Sequence, residues 1–392
     1  MTQPFSPPAS AALSALDRLI ISDAFDQLGV GPGRDILVLD DPTGALTGWA
    51  LAQVGPGGRV ISRQRSYADA LTLYQTHSTQ NAATKSPLTL AGLHENGEVD
   101  PSTFSLYTTL TSHNFDGTLA LGHLPKSHAA LADLAHDLAR YQAERGSEVT
   151  LILGGNTKHM TPTFNETLGR SFGQVRGLLG KGKHRCLLAT VPTPAQVQPR
   201  PSGPLQALGG VFSGGKPDRG GQLLAASVLT DLENTAPARP LTLVDLGCGN
   251  GSVTHQVLEH LPAGIAIDRV RATDLDVDAV RSASLNLGQD ARVQVTWDDA
   301  ASRLEDHRAD IVLLNPPFHS GTAVDLSLVG PLLDASLRLL APGGLLYLVH
   351  NSHARYRPQI EERFESVQQM NRTPTFTVIK AVAPALPRHT DQ

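Results

Sequence analysis

The chain has 392 residues, 40% of them hydrophobic and 18% charged, with a net charge of −5. That length suits two domains of ordinary size, and no apolar run approaches the roughly 20 residues that span a bilayer. Two cysteines, Cys186 and Cys248, exclude a disulfide framework or a four-cysteine metal site. The N-terminal stretch has neither the basic start nor the apolar core of a secretory signal, so a cytoplasmic protein is expected.

In chain order, residues 35–40 predict a first strand, followed by Gly44 and a helix. Residues 59–63 predict a second strand, then a helix through Tyr67 and Leu71. A strand at 118–121 runs into the word HLPKS, and a long helix is expected over 129–141. A strand at 149–153 leads to Gly154-Gly155-Asn156, and a terminal pair surrounds GKGKHRC. Residues 191–210 then place five prolines among Gly, Ser and Gln, which sustain neither a helix nor a central strand. The expected division is a domain over 1–195, a Pro-rich link over 196–210 and a second domain over 211–392.

The second half is more regular. Strands are expected at 241–246, 269–273, 293–296, 309–314 and 345–349. Helices follow through Val253, Val257 and Leu258, over 277–285, over 326–340 and over 358–364, the third stopping at Ala341-Pro342-Gly343-Gly344. Two alternating stretches, 366–370 and 375–382, close the chain. Strands alternating with helices predict a mostly parallel sheet covered on both faces, with an antiparallel strand at its end. The first half repeats this plan, setting His123 opposite Asn315, Asn156 opposite Asn351 and Phe172 near Phe364, which predicts an internal duplication.

Chemistry concentrates at the strand ends of the second half. The word VDLGCGNG joins a strand to a helix through Gly247, Gly249 and Gly251, a turn whose backbone can approach a ligand closely. Asp245, two residues ahead of it, suits a cationic or amine-bearing ligand better than a pyrophosphate. Asp274 ends the next strand, where a carboxylate chelates ribose hydroxyls. Asp298 and Asp299 follow the third strand, where an acceptor meets an adenine amino group. The alternative for each acid is a helix cap, but three successive strand ends favour a nucleoside site. The fourth strand runs into Asn315-Pro316-Pro317-Phe318, followed by His319. Prolines cannot join a sheet ladder, and they stiffen a loop carrying one amide, one aromatic ring and free carbonyls.

The words VDLGCGNG, TDLD, WDDA and NPPF, in that order, resemble the class I S-adenosylmethionine-dependent methyltransferases. The resemblance implies that Asp245 and Gly247 face the methionine portion, Asp274 the ribose and Asp299 the adenine. NPPF resembles the signature of enzymes that methylate planar exocyclic or amide nitrogens. It implies that Asn315 and the Pro316 carbonyl hold the two N–H bonds of the target while Phe318 stacks on its ring. NPPFH together with FSGGKPDRGGQLL resembles the bacterial ribosomal RNA guanine-N2 methyltransferases, built from two tandem Rossmann-like methyltransferase domains with the active one second. Phe212, Ser213, Asp218, Gly220, Leu223 and Leu224 match that family's pattern, whereas Pro217 stands where leucine is usual. LPKSHAALADLAHDLAR and GGNTKHM resemble its N-terminal domain, particularly in the large-subunit branch.

The family implies S-adenosylmethionine as cofactor and ribosomal RNA, a ribosomal subunit or an assembly intermediate as partner, without metal or membrane. His319 either contacts guanine or its phosphate or braces the loop. Cys248 needs only to be small. Opposite the glycine turn the first half offers LDDPTGAL, with Arg63 opposite Asp274 and HLPK opposite NPPF. A catalytically dead copy is therefore expected, whose Lys126, Lys158, Lys181, Lys183 and Arg185 hold RNA. Residues 171–220 carry seven basic residues against one acid, Asp218, as a candidate phosphate track. Two other readings stay open: the same chemistry on DNA adenine or protein glutamine, and a non-catalytic RNA-binding assembly factor.

Overall fold

The computed structural model describes residues 13–26, 34–78, 87–193, 204–216, 218–316, 329–354 and 356–385. It divides into two compact units, Met1–Pro199 with Leu208–Gly210, and Arg200–Ala207 with Val211–Gln392.

The first unit runs α1 (Ala15–Asp26), β1 (Ile36–Leu39), α2 (Ala45–Gln53), β2 (Val60–Arg63), α3 (Tyr67–Ser78) and β3 (Leu88–Leu90), then α4 (Leu106–Ser112) and β4 (Leu119–His123). It continues through α5 (His128–Glu144), β5 (Thr150–Asn156), α6 (Thr163–Gly169), β6 (Phe172–Gly177) and β7 (His184–Pro192). The seven strands stand in the order β3-β2-β1-β4-β5-β7-β6. The first five are parallel, and β7 runs antiparallel to both β5 and β6. The central strands ILVL and LALGH are buried on both faces, as their unbroken apolar runs require. Leu37, Leu39 and Ile61 share one cluster with Leu106 and Leu110 of α4 and with α5. On the other face Ile36 and Val38 pack with Ile20 of α1 and Trp49 of α2.

The second unit runs α7 (Arg219–Thr235), β8 (Leu241–Leu246), α8 (Ser252–Glu259), β9 (Ile267–Asp274), α9 (Val277–Leu287), β10 (Val293–Trp297) and β11 (Ala309–Leu314). It closes with α10 (Val329–Leu339), β12 (Leu340–Asn351), α11 (Arg357–Glu361), β13 (Ser366–Arg372) and β14 (Phe376–Val382). Its order, β10-β9-β8-β11-β12-β14-β13, repeats that of the first sheet, with β14 antiparallel to β12 and β13. The expected fold class, two tandem sheets with antiparallel C-terminal strands, is the one observed, and the duplication with it. His123 ends β4 as Asn315 follows β11, and Asn156 and Asn351 are each the last residue of their strand.

Three differences have physical causes. The Ala341-Pro342-Gly343-Gly344 stretch lies inside β12 instead of in a loop. Ala309 pairs with Leu340 and Ile311 with Leu345, so the extra residues form a bulge at which Gly343 takes φ 73°. Helices α1, α4 and α6 have short or weakly patterned apolar faces, and packing on the sheet fixes them where periodicity does not. Of the Pro-rich link, residues 194–203 lie outside the described residues. Gln206 beyond them is anchored, its N–H donating to Asn286 Oδ1 at 2.7 Å while Asn286 Nδ2 donates to its carbonyl at 2.9 Å.

Candidate active site

The C-terminal ends of β8, β9, β10 and β11 lie side by side, as the parallel registers of these strands require. In an open α/β sheet this edge is where ligands bind. Gly247, Gly249 and Gly251 adopt φ of 76°, 57° and 80°, conformations open to glycine without strain. A Cβ on Gly247 or Gly249 would meet nothing within 4 Å, so the turn borders open space there. On Gly251 it would lie 2.7 Å from Leu287, so that glycine serves the close approach of α8 to α9.

Asp274 ties this turn to β9. Its two carboxylate oxygens accept from the N–H groups of Gly249 and Asp276, each at 2.9 Å. Asp276, not Asp274, caps α9. Asp245 is buried at the end of β8, accepting from Thr254 Oγ1 at 2.6 Å. Burial raises its pKa to about 6 and Asp274 adds to the rise, while the Thr254 bond opposes it. Asp274 is raised by burial as well. Burial likewise pushes the Cys248 thiol up, which leaves it unreactive.

Trp297 is wholly buried and donates Nε1–H to the Leu275 carbonyl at 2.8 Å, anchoring the end of β10. The two acids that follow it separate. Asp298 is buried and engaged by Ser302 and by the Arg303 N–H, whereas Asp299 is exposed. Asn250 braces the turn from outside, its Nδ2 donating to the Gly214 carbonyl at 2.8 Å and its Oδ1 accepting from Ser252.

Asn315 leaves β11 beside the start of α7. Its Nδ2 donates to Asp218 Oδ2 at 3.1 Å, and the same oxygen accepts from Gly221 N–H at 2.9 Å as the cap of α7. The opposite end of the amide, Oδ1, is buried and has no hydrogen-bond partner among the described residues. A buried acceptor left empty is costly. Pro316 is buried behind it. The expected Phe318 and His319 lie outside the described residues.

The sheet thus brings Asp245, the three glycines, Asp274, Asp299 and Asn315 to one edge. Lys181, Lys183 and Arg185 belong instead to the β6–β7 hairpin of the other unit, exposed and without ion pairs among the described residues. Sequence reasoning missed Thr254, Asn250 and the contact of Asp218, which are hydroxyl, amide and carboxylate side chains whose partners are settled by folding. In the first unit the matching edge is closed: Arg63 pairs with Asp40 at 3.4 Å, and Asp41 is buried against the Thr47 N–H.

Comparison with known proteins agrees with this architecture. The RLMG N-terminal domain model matches residues 6–193 and the methyltransferase small domain model residues 203–380. Ribosomal RNA large subunit methyltransferase G of Pseudomonas putida (strain GB-1) is 29% identical over 389 residues, 94% of this chain and 93% of its own. Its namesake in Shewanella amazonensis is 29% identical over 283 residues, 68% of this chain and 69% of its own. The T. thermophilus 16S rRNA N2 methyltransferase RsmC, solved with AdoMet and guanosine, superposes with a TM-score of 0.65 at 22% identity, covering 92% of this chain and 91% of that one. Both halves are matched, in order and nearly end to end: the chain joins a domain of the RLMG N-terminal family to one of the methyltransferase small domain family.

Proposed function

We propose that this protein methylates the exocyclic N2 amine of a guanosine in ribosomal RNA, using S-adenosylmethionine. The observation that carries the reading is the buried Oδ1 of Asn315, which has no hydrogen-bond partner among the described residues and stands at the strand end next to the glycine turn. The donor set fits the cofactor. Asp274 is held by two backbone N–H groups with lone pairs left over for a ribose diol, and Asp245 is a buried carboxyl suited to an amine. Asp299 is exposed where an adenine amino group would need an acceptor, and the turn at Gly247 and Gly249 is open.

S-adenosylmethionine, when bound, supplies a sulfonium methyl as electrophile. The work of this chain is to make a poor nucleophile attack it. An amine conjugated to a purine ring has its lone pair delocalised. Asn315 Oδ1 and the Pro316 carbonyl accept its two N–H bonds, directing the lone pair out of the ring plane. The rate then comes from positioning and from acceptors fixed in advance, without a strong base.

The first unit is read as a catalytically dead copy that docks RNA. Guanine N2 is paired in a duplex, so the base must be unpaired or flipped, at a cost of a few kcal/mol. Exposed cations on the β6–β7 hairpin, Lys181, Lys183 and Arg185, with Lys126 and Lys158, would offset that by gripping nearby phosphates. The relatives named for the large subunit favour ribosomal RNA of that subunit as the substrate.

The test is methyl transfer from labelled S-adenosylmethionine to ribosomal RNA, DNA and protein, with nucleoside analysis of the product. Asn315→Ala should keep cofactor affinity and lose most of kcat, on the order of 10²-fold or more as for a removed transition-state partner. Transfer to DNA or protein instead, or a wild-type kcat in that variant, overturns the reading.

A further inference from the structure

Asp218 holds the Asn315 amide in the one orientation that catalysis can use. We infer that it is the positioning residue of the reaction, an inference that rests on the role proposed for Asn315. An amide side chain is nearly symmetric in shape but offers a donor at one end and an acceptor at the other. Only the Oδ1-inward orientation presents an acceptor to a target amine. A carboxylate has acceptors alone, so Asp218 Oδ2, 3.1 Å from Asn315 Nδ2, admits the NH2 end and excludes the other. Asp218 is itself pinned by the Gly221 N–H at 2.9 Å, at the start of a 17-residue helix.

The close approach depends on glycine. A Cβ on Gly221 would stand 2.9 Å from Val253 and 3.6 Å from Asn315 Nδ2. The first unit keeps the same link in another form, Asp17 of α1 meeting His123 at the end of β4 at 2.7 Å. Tying the first helix to the fourth strand is therefore a feature of the duplicated fold. In the second unit the residue at the strand end is an amide, and the link sets a direction.

Asp218→Ser separates capping from orientation, because serine caps a helix as well as aspartate but is too short to reach Asn315. It should keep the unfolding midpoint, cofactor Kd and KM for RNA, while kcat falls about tenfold to a hundredfold. The charge swap gives a second readout. Asn315→Asp alone sets two carboxylates face to face, and adding Asp218→Asn restores a donor to the contact and should recover kcat by about tenfold. An Asp218→Ser enzyme with wild-type kcat, or a swap no better than Asn315→Asp alone, overturns the positioning role. Wild-type kcat in Asn315→Ala overturns the role of Asn315 instead.

A second, independent inference comes from a sheet face in the same unit that no helix among the described residues covers. The connection from β10 to β11, residues 298–308, contains no helix, whereas α4 occupies the corresponding β3–β4 connection of the first unit. Where the first unit sets Leu37 and Ile61 against α4, the second presents Thr242, Arg269, Arg271, Gln294 and Thr296 in an open cleft of about 690 Å3. Among the described residues, Arg269 and Arg271 have no ion-pair partner, and the buried Thr296 Oγ1 has no hydrogen-bond partner. The acids bordering the cleft are Asp268, Asp298 and Glu305, the last two already engaged by Arg303 and Arg308.

We propose that this cleft takes the phosphate backbone of the RNA substrate, so that the catalytic unit has its own grip on RNA. The inference rests on RNA being the substrate. Two unpaired arginines in an otherwise acidic chain, beside a free hydroxyl, match phosphodiester oxygens in charge and donors. Protein-free ribosomal RNA is the probe, with Kd measured across a salt series. Arg269→Ala with Arg271→Ala should flatten the log Kd–log salt slope by about 1.4 to 1.8, at roughly 0.7 to 0.9 per contact. The double lysine variant should retain the slope, and cofactor Kd should not move. An unchanged slope in a folded alanine variant overturns the cleft as an RNA site. Wild-type enzyme that neither binds nor methylates RNA overturns the function itself.

Discussion

Burying the Asp245 carboxyl beneath the glycine turn, with Thr254 as its side-chain donor and Asp274 nearby, holds its pKa at about 6 against an ordinary 3.8. The sign of the consequence follows from proton uptake. Between those two values the folded protein binds more protons than the unfolded chain, so stability falls as pH rises through the interval. Above about 6 the whole penalty, roughly 3 kcal/mol, is in force. Asp245→Asn should therefore stabilise the cofactor-free protein at pH 7 by up to that amount, and by much less at pH 4, while weakening cofactor binding. Denaturant titrations of both proteins at the two pH values measure this. An identical difference at pH 4 and pH 7 would show that the carboxyl carries no such cost. On the function proposed above, an amine-bearing ligand would offset that cost, the trade expected of functional sites.

At the scale of elements, the glycine turn divides its labour. Gly251 has φ 80° and Leu287 2.7 Å from a would-be Cβ, so Gly251→Ala meets both backbone strain and a clash. The strain alone is worth roughly 1–2 kcal/mol. Gly249 has the same handedness but open space beside it. Gly249→Ala should cost the backbone term in stability and lose proportionally more cofactor affinity, because its methyl enters the space the ligand needs. Thermal unfolding and calorimetry on the two variants separate the cases. Equal ratios of stability loss to affinity loss would mean that the turn is one structural unit and not a divided one.

For the whole molecule, the two sheets have one topology and two different edges. In the first unit Arg63 stands at the end of β2 and pairs with Asp40, so a cation fills the place that Asp274 holds in the second. A single glycine, Gly44, replaces the triple, and a Cβ there would already touch Leu73 at 3.0 Å. Calorimetry with S-adenosylmethionine should give one site per chain, weakened in Asp274→Ala by about 1–3 kcal/mol in binding free energy. Two sites per chain would restore the first unit to the chemistry. Among the described residues no helix is long and apolar enough to cross a membrane.

The sequence by itself determined the strand–helix alternation, the duplication, and which residues stand at strand ends. Apolar runs of five or six residues can be buried only as central parallel strands, and glycine and proline words mark where those strands stop. VDLGCGNG, Asp274 and NPPF were therefore legible as one edge before any coordinates. The tertiary structure decided what side chains do across long separations. Asp218 and Asn315 are 97 residues apart, and no periodicity links them. The direction of the Asn315 amide exists only because α7 delivers a carboxylate to the end of β11. The open cleft over β9 and β10 was equally hidden, since the short 298–308 connection reads as an ordinary loop until the sheet beneath it is seen to carry arginines. Local chemistry sets element type and the ends of strands. Packing alone sets which polar groups find partners and which are left for a ligand.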